Sequence, residues 1–279
     1  MRPIWFLKSI NQGSAFHRGD VPKEMLNRAG YFVRSAFYQQ LRELPSNSIV
    51  VLVKHCSGLI ERLKERNNIV IWDMVDATGS QAKEQPEVHG IIHPNTRSIP
   101  KDQTQEHTII HHFSFNPPFE IKEDRNFGVV YCGDATECKL SESHTDVESL
   151  IYHPILSKEH ETELDFLTQL SKYPFHISVR KTPFKPQTKI SIAAKFKACL
   201  ICNRDAGAVD DLLPDDYPYL CEPTVVAVRR CVEYARKTYL TDVWDKARAM
   251  MDATLEVSSD ESIVESYIEF FQRLELKHG

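Results

Sequence analysis

The sequence predicts an α/β fold built on parallel β-sheets. Short runs of β-branched and other apolar residues alternate with amphipathic segments of helical length, which is the pattern of βαβ units. The clearest run, Ser48–Lys54, is almost continuously apolar, as in a strand that is buried on both faces. A predicted helix over Leu59–Arg66 and a second apolar run over Ile69–Met74 follow it. These segments predict a right-handed crossover that leaves the carboxyl ends of both strands at one edge of the sheet.

The remaining segments fit the same scheme. A strand is predicted over Pro3–Lys8, and after a polar loop a helix is predicted over Lys23–Arg28. Weaker strands are predicted at Gly90–Ile92 and Thr108–His111. The second half contains a predicted strand at Phe127–Cys132, a helix at Lys158–Lys172, a strand at His176–Arg180, a helix at Thr188–Phe196, a strand at Ala198–Cys202 and two or three helices over Thr224–His278.

A charged, proline-bearing stretch at Asn116–Asn126 separates the two series of elements. The chain has 279 residues, enough for two domains of ordinary size. We therefore expect a first domain over residues 1–122 and a second domain over residues 123–255.

Composition and charge exclude several classes of protein. Hydrophobic residues make up 42% of the chain and charged residues 26%, which is ordinary for a globular protein. The net charge of -5 gives no overall attraction to nucleic acid or anionic lipid, although a local basic cluster can still bind a phosphate. Seven irregularly spaced cysteines favour free thiols in a reducing compartment. No apolar run is long enough to span a membrane, so we expect a cytoplasmic protein that binds no nucleic acid; its oligomeric state is open.

The segment His176–Leu220 carries the strongest chemical signal. A predicted strand ends in Arg180, a short loop brings Lys185, and a helix begins near Thr188 and Lys189. A helix N-terminus presents unpaired N–H groups and a partial positive charge, so these cations predict a diphosphate site. A solvated basic loop is the alternative interpretation.

The order of motifs in this segment resembles the C-terminal domain of GT-B glycosyltransferases. The family pattern appears here as SVR, KPQTK, ACLICN, RDAGAVDDLL and DYPYL. In the first half, VVLVKH and VIWDMVDATG resemble the family's unit of a Lys, a helix and D-x-x-D, and QGSAFHRGD resembles its acceptor-side loop. The size and layout also resemble the small glycosyltransferases of large algal viruses, a resemblance that suggests xylosyl transfer.

This resemblance implies a GT-B-like fold, with two Rossmann-like parallel-sheet domains facing across a cleft. The nucleotide-sugar donor would be held mainly by the second domain, and a C-terminal helix within 256–279 would pack back on the first. The implied activity is transfer of a hexosyl or pentosyl group from a nucleotide sugar to a glycan acceptor. The donors that the resemblance implies are UDP-sugars, with UDP-xylose among them. No metal or other cofactor is expected.

The resemblance also assigns donor contacts. Basic residues neutralise the diphosphate, and Asp205 or the pair Asp210 and Asp211 bind hydroxyl groups of the sugar or ribose. Solvated acids near a helix end are the alternative for that pair. The candidate donor-binding residues are Arg180, Lys185, Thr188, Lys189, Asp205, Asp210 and Gly133.

An inverting transfer needs a base within reach of the acceptor hydroxyl, whereas a retaining transfer needs no dedicated base. The candidates are His17 and Asp20 in the first loop, and Asp73 and Asp76 at the end of the third predicted strand. Asp73 lies inside an apolar strand, where an unpaired carboxylate is costly, so we expect it to be hydrogen-bonded and structural. Asp76 is therefore preferred to Asp73.

Other motifs favour no different class. Cys199 and Cys202 have zinc-ligand spacing, but they lie in an apolar strand without a second pair, which favours buried thiols. His111 and His112 end a predicted strand, where at most one can face a ligand. The sequence contains no dinucleotide glycine motif, Walker loop or nucleophile elbow. An epimerase, a phosphorylase and a non-catalytic GT-B-like binding module are the alternatives.

Overall fold

The computed structural model describes residues 1–9, 16–54, 57–75, 87–112, 116–133, 150–154, 163–179 and 188–279. These residues form two compact units. The first unit combines described residues within 1–112 with 257–279, and the second lies within 116–256. Each unit contains one parallel β-sheet.

The first sheet has six strands in the order β2-β1-β3-β4-β5-β6. The chain passes from β1 outward to β2 and then returns to the other side of β1, so the strand order reverses between β1 and β3. The carboxyl ends of these two strands border the crevice in which open α/β sheets bind ligands. The strands are β1 (Ile4–Lys8), β2 (Val33–Phe37), β3 (Ile49–Val53), β4 (Ile69–Asp73), β5 (Gly90–His93) and β6 (Glu106–Ile109).

Helices cover both faces of this sheet, which explains why β3 and β4 are apolar at nearly every position. One face packs against α1 (Val21–Arg28) and the C-terminal helix α8 (Asp260–His278). The other face packs against α2 (Ile60–Lys64).

The C-terminal helix α8 approaches the sheet closely at Gly90. A Cβ atom on Gly90 would lie 2.7 Å from Phe270 Cζ and 2.9 Å from Leu274 Cδ1, so a larger residue would have to displace these two buried side chains. The helix begins at an N-cap, where the N–H of Ser262 donates to Ser259 Oγ at 3.2 Å. It also buries a continuous apolar stripe against the first sheet, formed by Ile263, Tyr267, Ile268, Phe270, Phe271 and Leu274. This contact joins the end of the chain to the first unit.

The second sheet has four strands in the order β10-β9-β7-β8. Helix α3 packs on one face, and α4, α6 and α7 pack on the other. The strands are β7 (Val129–Gly133), β8 (Leu150–Pro154), β9 (Phe175–Ser178) and β10 (Cys199–Cys202). The helices are α3 (Glu163–Ser171), α4 (Thr188–Lys195), α5 (Val209–Leu212), α6 (Val225–Thr238) and α7 (Asp242–Ala253).

Arg125 ties two helix ends of the second unit together. Its Nη1 donates to the carbonyls of Tyr173 at 3.0 Å and Phe196 at 2.9 Å, and its Nη2 donates to the carbonyl of Lys197. These carbonyls lie just beyond the C-termini of α3 and α4, where the helix dipoles are negative. Burial lowers the pKa of Arg125 to about 10, so the guanidinium stays charged at neutral pH.

The α/β fold class predicted from the sequence is confirmed. Strands β1, β3, β4 and β10 lie within one residue of their predicted bounds at each end. Strand β6 begins at Glu106 and ends at Ile109, two residues earlier than predicted, because its register is set by pairing with β5. Two strands were not predicted, β2 and β8. Each lies at the edge of its sheet.

None of the helices in the described part of the chain is both long and apolar enough to cross a lipid bilayer.

Candidate functional site

The carboxyl edge of the first sheet carries the described candidates for a catalytic base. Strand β1 ends at Lys8, β3 ends at Val53 and β4 ends at Asp73. A π-helical turn over Phe16–Asp20 leads directly into α1. Such turns are rare in proteins and are frequent at functional sites. The turn and the strand order both mark this edge as the candidate site of the first unit.

Arg18 and Asp73 form a buried ion pair at this edge. Arg18 Nε donates to Asp73 Oδ2 at 2.7 Å, and Arg18 Nη2 donates to Asp73 Oδ1 at 3.1 Å. Arg18 Nη1 also donates to the carbonyl of Ile110 at 2.6 Å. Arg18 is 1% exposed and Asp73 is fully buried. Because a buried charge is stable only with such a partner, the pair holds the π-helical turn against β4.

Asp20 is held by a second ion pair. Lys8 Nζ lies 2.6 Å from Asp20 Oδ1 and 2.7 Å from Oδ2, and Ser35 Oγ donates to Oδ1 at 2.6 Å. The neighbouring Gly19 makes room for this lysine, since a Cβ atom there would lie 2.8 Å from Lys8 Cδ. Both carboxylate oxygens of Asp20 are therefore engaged by the side chain that ends β1.

Two imidazoles lie beside these pairs. The ring of half-buried His17 lies 5.8 Å, centroid to centroid, from the ring of buried His112. Burial lowers the pKa of His112 well below its ordinary value, and the neighbouring side chains of Arg18, His17 and His111 lower it further. His112 is therefore neutral at physiological pH. Of the two rings, His17 has the greater exposure, as a group that exchanges protons with a substrate requires.

The second unit has its own reversal of strand order, between β7 and β9. Strand β7 ends at Gly133 and β9 ends at Ser178. Helix α4 begins at Thr188 and connects β9 to the parallel strand β10, so its N-terminus lies at the carboxyl edge of the sheet. Lys189 occupies its first turn. This edge therefore combines helix N–H groups with a cation, the chemistry that binds phosphate.

Two candidate acids follow β10 and differ in their surroundings. Asp205 lies in a turn in which the N–H of Gly207 donates to the Asp205 carbonyl at 3.1 Å, with Gly207 at φ +66°. Asp210 lies 3.6 Å from Arg204 Nη1, and the same guanidinium lies 3.0 Å from Asp215. Asp210 is therefore part of a surface ion-pair cluster, and both acids follow the strand that ends at the carboxyl edge of the sheet.

The structure brings the described site residues together at two sheet edges. His17, Asp20 and Asp73 lie at the carboxyl edge of the first sheet. At the carboxyl edge of the second sheet, Gly133 ends β7 and Asp205 follows β10. Thr188 and Lys189 begin α4 at the same edge. Three predicted site residues, Asp76, Arg180 and Lys185, lie outside the described residues.

Cys199 and Cys202 are free, buried thiols, as the apolar strand around them predicts. They lie three residues apart in β10, so they point to opposite faces of the sheet. Burial raises the pKa of Cys199 to about 12 and also raises the pKa of Cys202. Both thiols therefore stay protonated at neutral pH and pack as apolar groups.

Two residues of the first site were missed by sequence reasoning, Arg18 and Lys8. A signal for Arg18 was present, because Asp73 in an apolar strand requires a buried donor and Arg18 lies in a loop that leaves the same sheet edge. Lys8 carried a weaker signal as a charged end to an apolar strand. Its partner could not be identified without the fold.

The fold of the whole chain has counterparts among solved structures. No protein-family model matches the sequence, and no curated protein matches it. Solved structures do match. A glycosyltransferase from Rickettsia africae ESF-5 aligns with 98% of this chain and 98% of its own, at a TM-score of 0.69 and 11% identity.

Two further structures match over a similar length. Sucrose-phosphate synthase from Thermosynechococcus elongatus aligns with 99% of this chain and 100% of its own, at a TM-score of 0.66 and 10% identity. Anabaena HepE, in complex with UDP and glucose, aligns with 98% of this chain and 100% of its own, at a TM-score of 0.65 and 8% identity. At such identities the likeness shows the fold, and the fold of this chain is that of the GT-B glycosyltransferases, as its sequence predicts.

Proposed function

We propose that the protein is a glycosyltransferase that moves a sugar from a nucleotide sugar to a glycan acceptor. The observation that carries this proposal is the fold shared with glycosyltransferases over nearly the whole chain. One of these structures contains UDP and glucose, which supports a UDP-sugar as the donor. The sequence resemblance to small algal-virus enzymes adds UDP-xylose to the donors that we would test.

The second unit is the proposed donor site. The N-terminus of α4, with Lys189 in its first turn, lies beside the reversal of strand order that Gly133 borders. Arg180 and Lys185, outside the described residues, precede this helix in sequence. These cations would stabilise the negative charge that develops on the departing nucleoside diphosphate. The proposed chemistry takes its positive charge from side chains and helix N–H groups and requires no metal.

The first unit supplies the proposed acceptor-side group. Asp73 is fully buried against Arg18, and both oxygens of Asp20 bind Lys8, so neither carboxylate is well placed to take a proton from a substrate. Half-buried His17, on the same π-helical turn, is the proposed general base of an inverting transfer. Asp76 is the candidate base among the residues that the structure does not describe.

Nucleotide binding tests the donor site. A thermal-shift screen against UDP, GDP, CMP and dTDP is expected to show stabilisation by UDP, about 2.7 kcal/mol at a hundredfold excess over its Kd. In calorimetry, Lys189→Ala should weaken binding by about 1–3 kcal/mol because a charge-assisted hydrogen bond is lost. Lys195→Ala, at the other end of the same helix, is the matched control and should bind normally.

Equal binding by the Lys189 and Lys195 variants would reject this placement of the diphosphate. No stabilisation by any nucleotide would reject the transferase proposal itself. Nucleotide binding without sugar transfer to any acceptor in a glycan panel would identify a binding module instead of an enzyme.

Substitution of the proposed base has a separate expected result. His17→Gln should lower kcat about 100-fold, the lower end of the range for general-base catalysis, while nucleotide affinity stays normal. His107→Gln, which removes a half-buried histidine of β6, is the control. The readout is initial transfer rate with the donor that the nucleotide screen selects. An unchanged kcat for His17→Gln would exclude this histidine and favour either Asp76 or a retaining mechanism.

A further inference from the structure

Helix α6 exposes an unusual combination of side chains. Val226 is 59% exposed, Tyr234 is 43% exposed, and Leu240, just beyond the helix, is 62% exposed. Single exposed apolar residues are common on protein surfaces, but here three lie along one helix and its end. The opposite side of α6 is buried in the core of the second unit through Val228, Cys231, Val232 and Ala235. Val226 is therefore not part of the helix's packing face, whereas the ring of Tyr234 is exposed at one side and lies 6.1 Å from that of buried Tyr219 at the other.

Basic residues alternate with these apolar ones. The exposed positions of α6 include four cations, Arg229, Arg230, Arg236 and Lys237, and one carboxylate, Glu233. Val226, Arg230 and Tyr234 follow at intervals of four residues, so they form one stripe along the helix. The charge of this face is opposite in sign to the net charge of the chain, which is -5. Any attraction to an anionic surface would therefore be local to this face.

Leu240 adds an independent observation. It has a positive φ of 60°, in the left-handed region that costs a residue with a Cβ atom about 1 kcal/mol relative to glycine. Its side chain gains little from burial in the folded unit, since most of it is exposed. Glycine or asparagine would be more stable at this position. Folding stability of the unit therefore does not explain a leucine here.

We propose that this surface, made of Val226, Arg229, Arg230, Tyr234, Lys237 and Leu240 with the single carboxylate Glu233 among them, docks on an anionic lipid bilayer. A helix that lies in a bilayer interface places apolar side chains at the level of the acyl chains and cations among the phosphates. Tyrosine is enriched at that depth. Val226 and Tyr234 lie about 12 Å apart along the helix axis, and Leu240 extends the surface beyond the helix end, which suits a broad surface better than a single pocket. The inference does not depend on the proposed enzymatic activity.

The test is co-sedimentation of the full chain with lipid vesicles. We expect binding to phosphatidylcholine vesicles that contain roughly 30% phosphatidylserine, no binding to phosphatidylcholine alone, and release by about 0.5 M NaCl. Arg229→Gln/Arg230→Gln should lower the partition coefficient roughly 25-fold, about fivefold for each cation removed. The matched control is Arg42→Gln/Arg62→Gln, which removes the same charge from exposed positions of the first unit.

The apolar contribution is tested separately. Leu240→Asn should lower the partition coefficient about tenfold without destabilising the fold, because asparagine tolerates a positive φ. Leu276→Asn, on a leucine that is 90% exposed in α8, is the matched control and should leave vesicle binding unchanged. Thermal melting of each variant establishes that the chain remains folded.

Three outcomes would overturn the proposal. The first is absence of binding to anionic vesicles at low salt, and the second is an equal loss of binding in the control variants. The third is a different occupant of the same surface. Capture by polyglutamate without vesicle binding would identify an acidic protein partner, and a dimer that Leu240→Asn dissociates would identify a second copy of the chain.

Discussion

Arg18→Met is expected to destabilise the first unit by about 3–5 kcal/mol. The substitution keeps much of the side-chain length but leaves the fully buried Asp73 carboxylate without its cation. Removing one partner of a buried pair is costly because the remaining charge stays in a low-dielectric interior. The carbonyl of Ile110 would also lose its guanidinium donor.

Tryptophan fluorescence during urea unfolding measures this effect unit by unit. Trp5 and Trp72 report on the first unit, so the measurement is made in a Trp244→Phe background that silences the second. Arg28→Met is the control, since the Arg28 and Asp260 side chains of its ion pair are 68% and 47% exposed. An exposed pair is worth less than about 1 kcal/mol. Equal effects of the two substitutions would show that the Arg18 pair does not anchor the unit.

A double variant separates the charge from the contact. Arg18→Met/Asp73→Leu replaces both ions by apolar groups and should recover most of the lost stability, because no charge is then left unpaired. The initial rate of sugar transfer should not recover. The π-helical turn that carries His17 would have lost its attachment to β4, and turnover depends on the position of that turn.

The elements that could be predicted from sequence are those whose pattern is set by burial on both faces. Strands β3 and β4 are apolar at almost every position because helices cover each side of the sheet, so their bounds were found closely. Strand β2 reads VRSAF and is buried only at Val33, since it lies at the edge of the sheet. Half-exposed edge strands carry no continuous apolar run, and β2 was therefore missed.

The candidate site, like the strands, could be predicted from sequence only in part. An aspartate inside an apolar strand predicts a hydrogen-bonded partner, and Asp73 has one. That the partner is Arg18, 55 positions earlier in the chain, depends on the topology that brings two loops to one sheet edge. The ranking of His17 and Asp20 likewise depends on Lys8, whose ammonium engages both oxygens of Asp20. Pairings between distant residues leave no local pattern in a sequence.

Acid is expected to destabilise the second unit through His176. This histidine of β9 is buried, and desolvation lowers its pKa from 6.5 to about 3 in the folded chain. The nearby charges of Arg125, Lys189 and Arg248 act in the same direction, whereas contact of Nε2 with the Leu170 carbonyl, at 3.3 Å, opposes it. Below pH 6.5 the unfolded chain binds a proton that the folded chain does not. His176 therefore leaves the free energy of unfolding unchanged above pH 6.5. Between pH 6.5 and 3 it lowers that free energy by about 1.4 kcal/mol for each pH unit.

Urea unfolding followed by Trp244 fluorescence, in a Trp5→Phe/Trp72→Phe background, measures this slope for the second unit. His176→Gln removes the titrating group and should make the unfolding free energy less dependent on pH by about 1.4 kcal/mol per unit between pH 6 and 4. His107→Gln removes a histidine of the first unit and should leave the slope of the second unchanged. An identical slope in the wild-type and His176→Gln chains would mean that His176 takes up its proton without unfolding, and that the core around β9 opens to water in acid while the sheet persists.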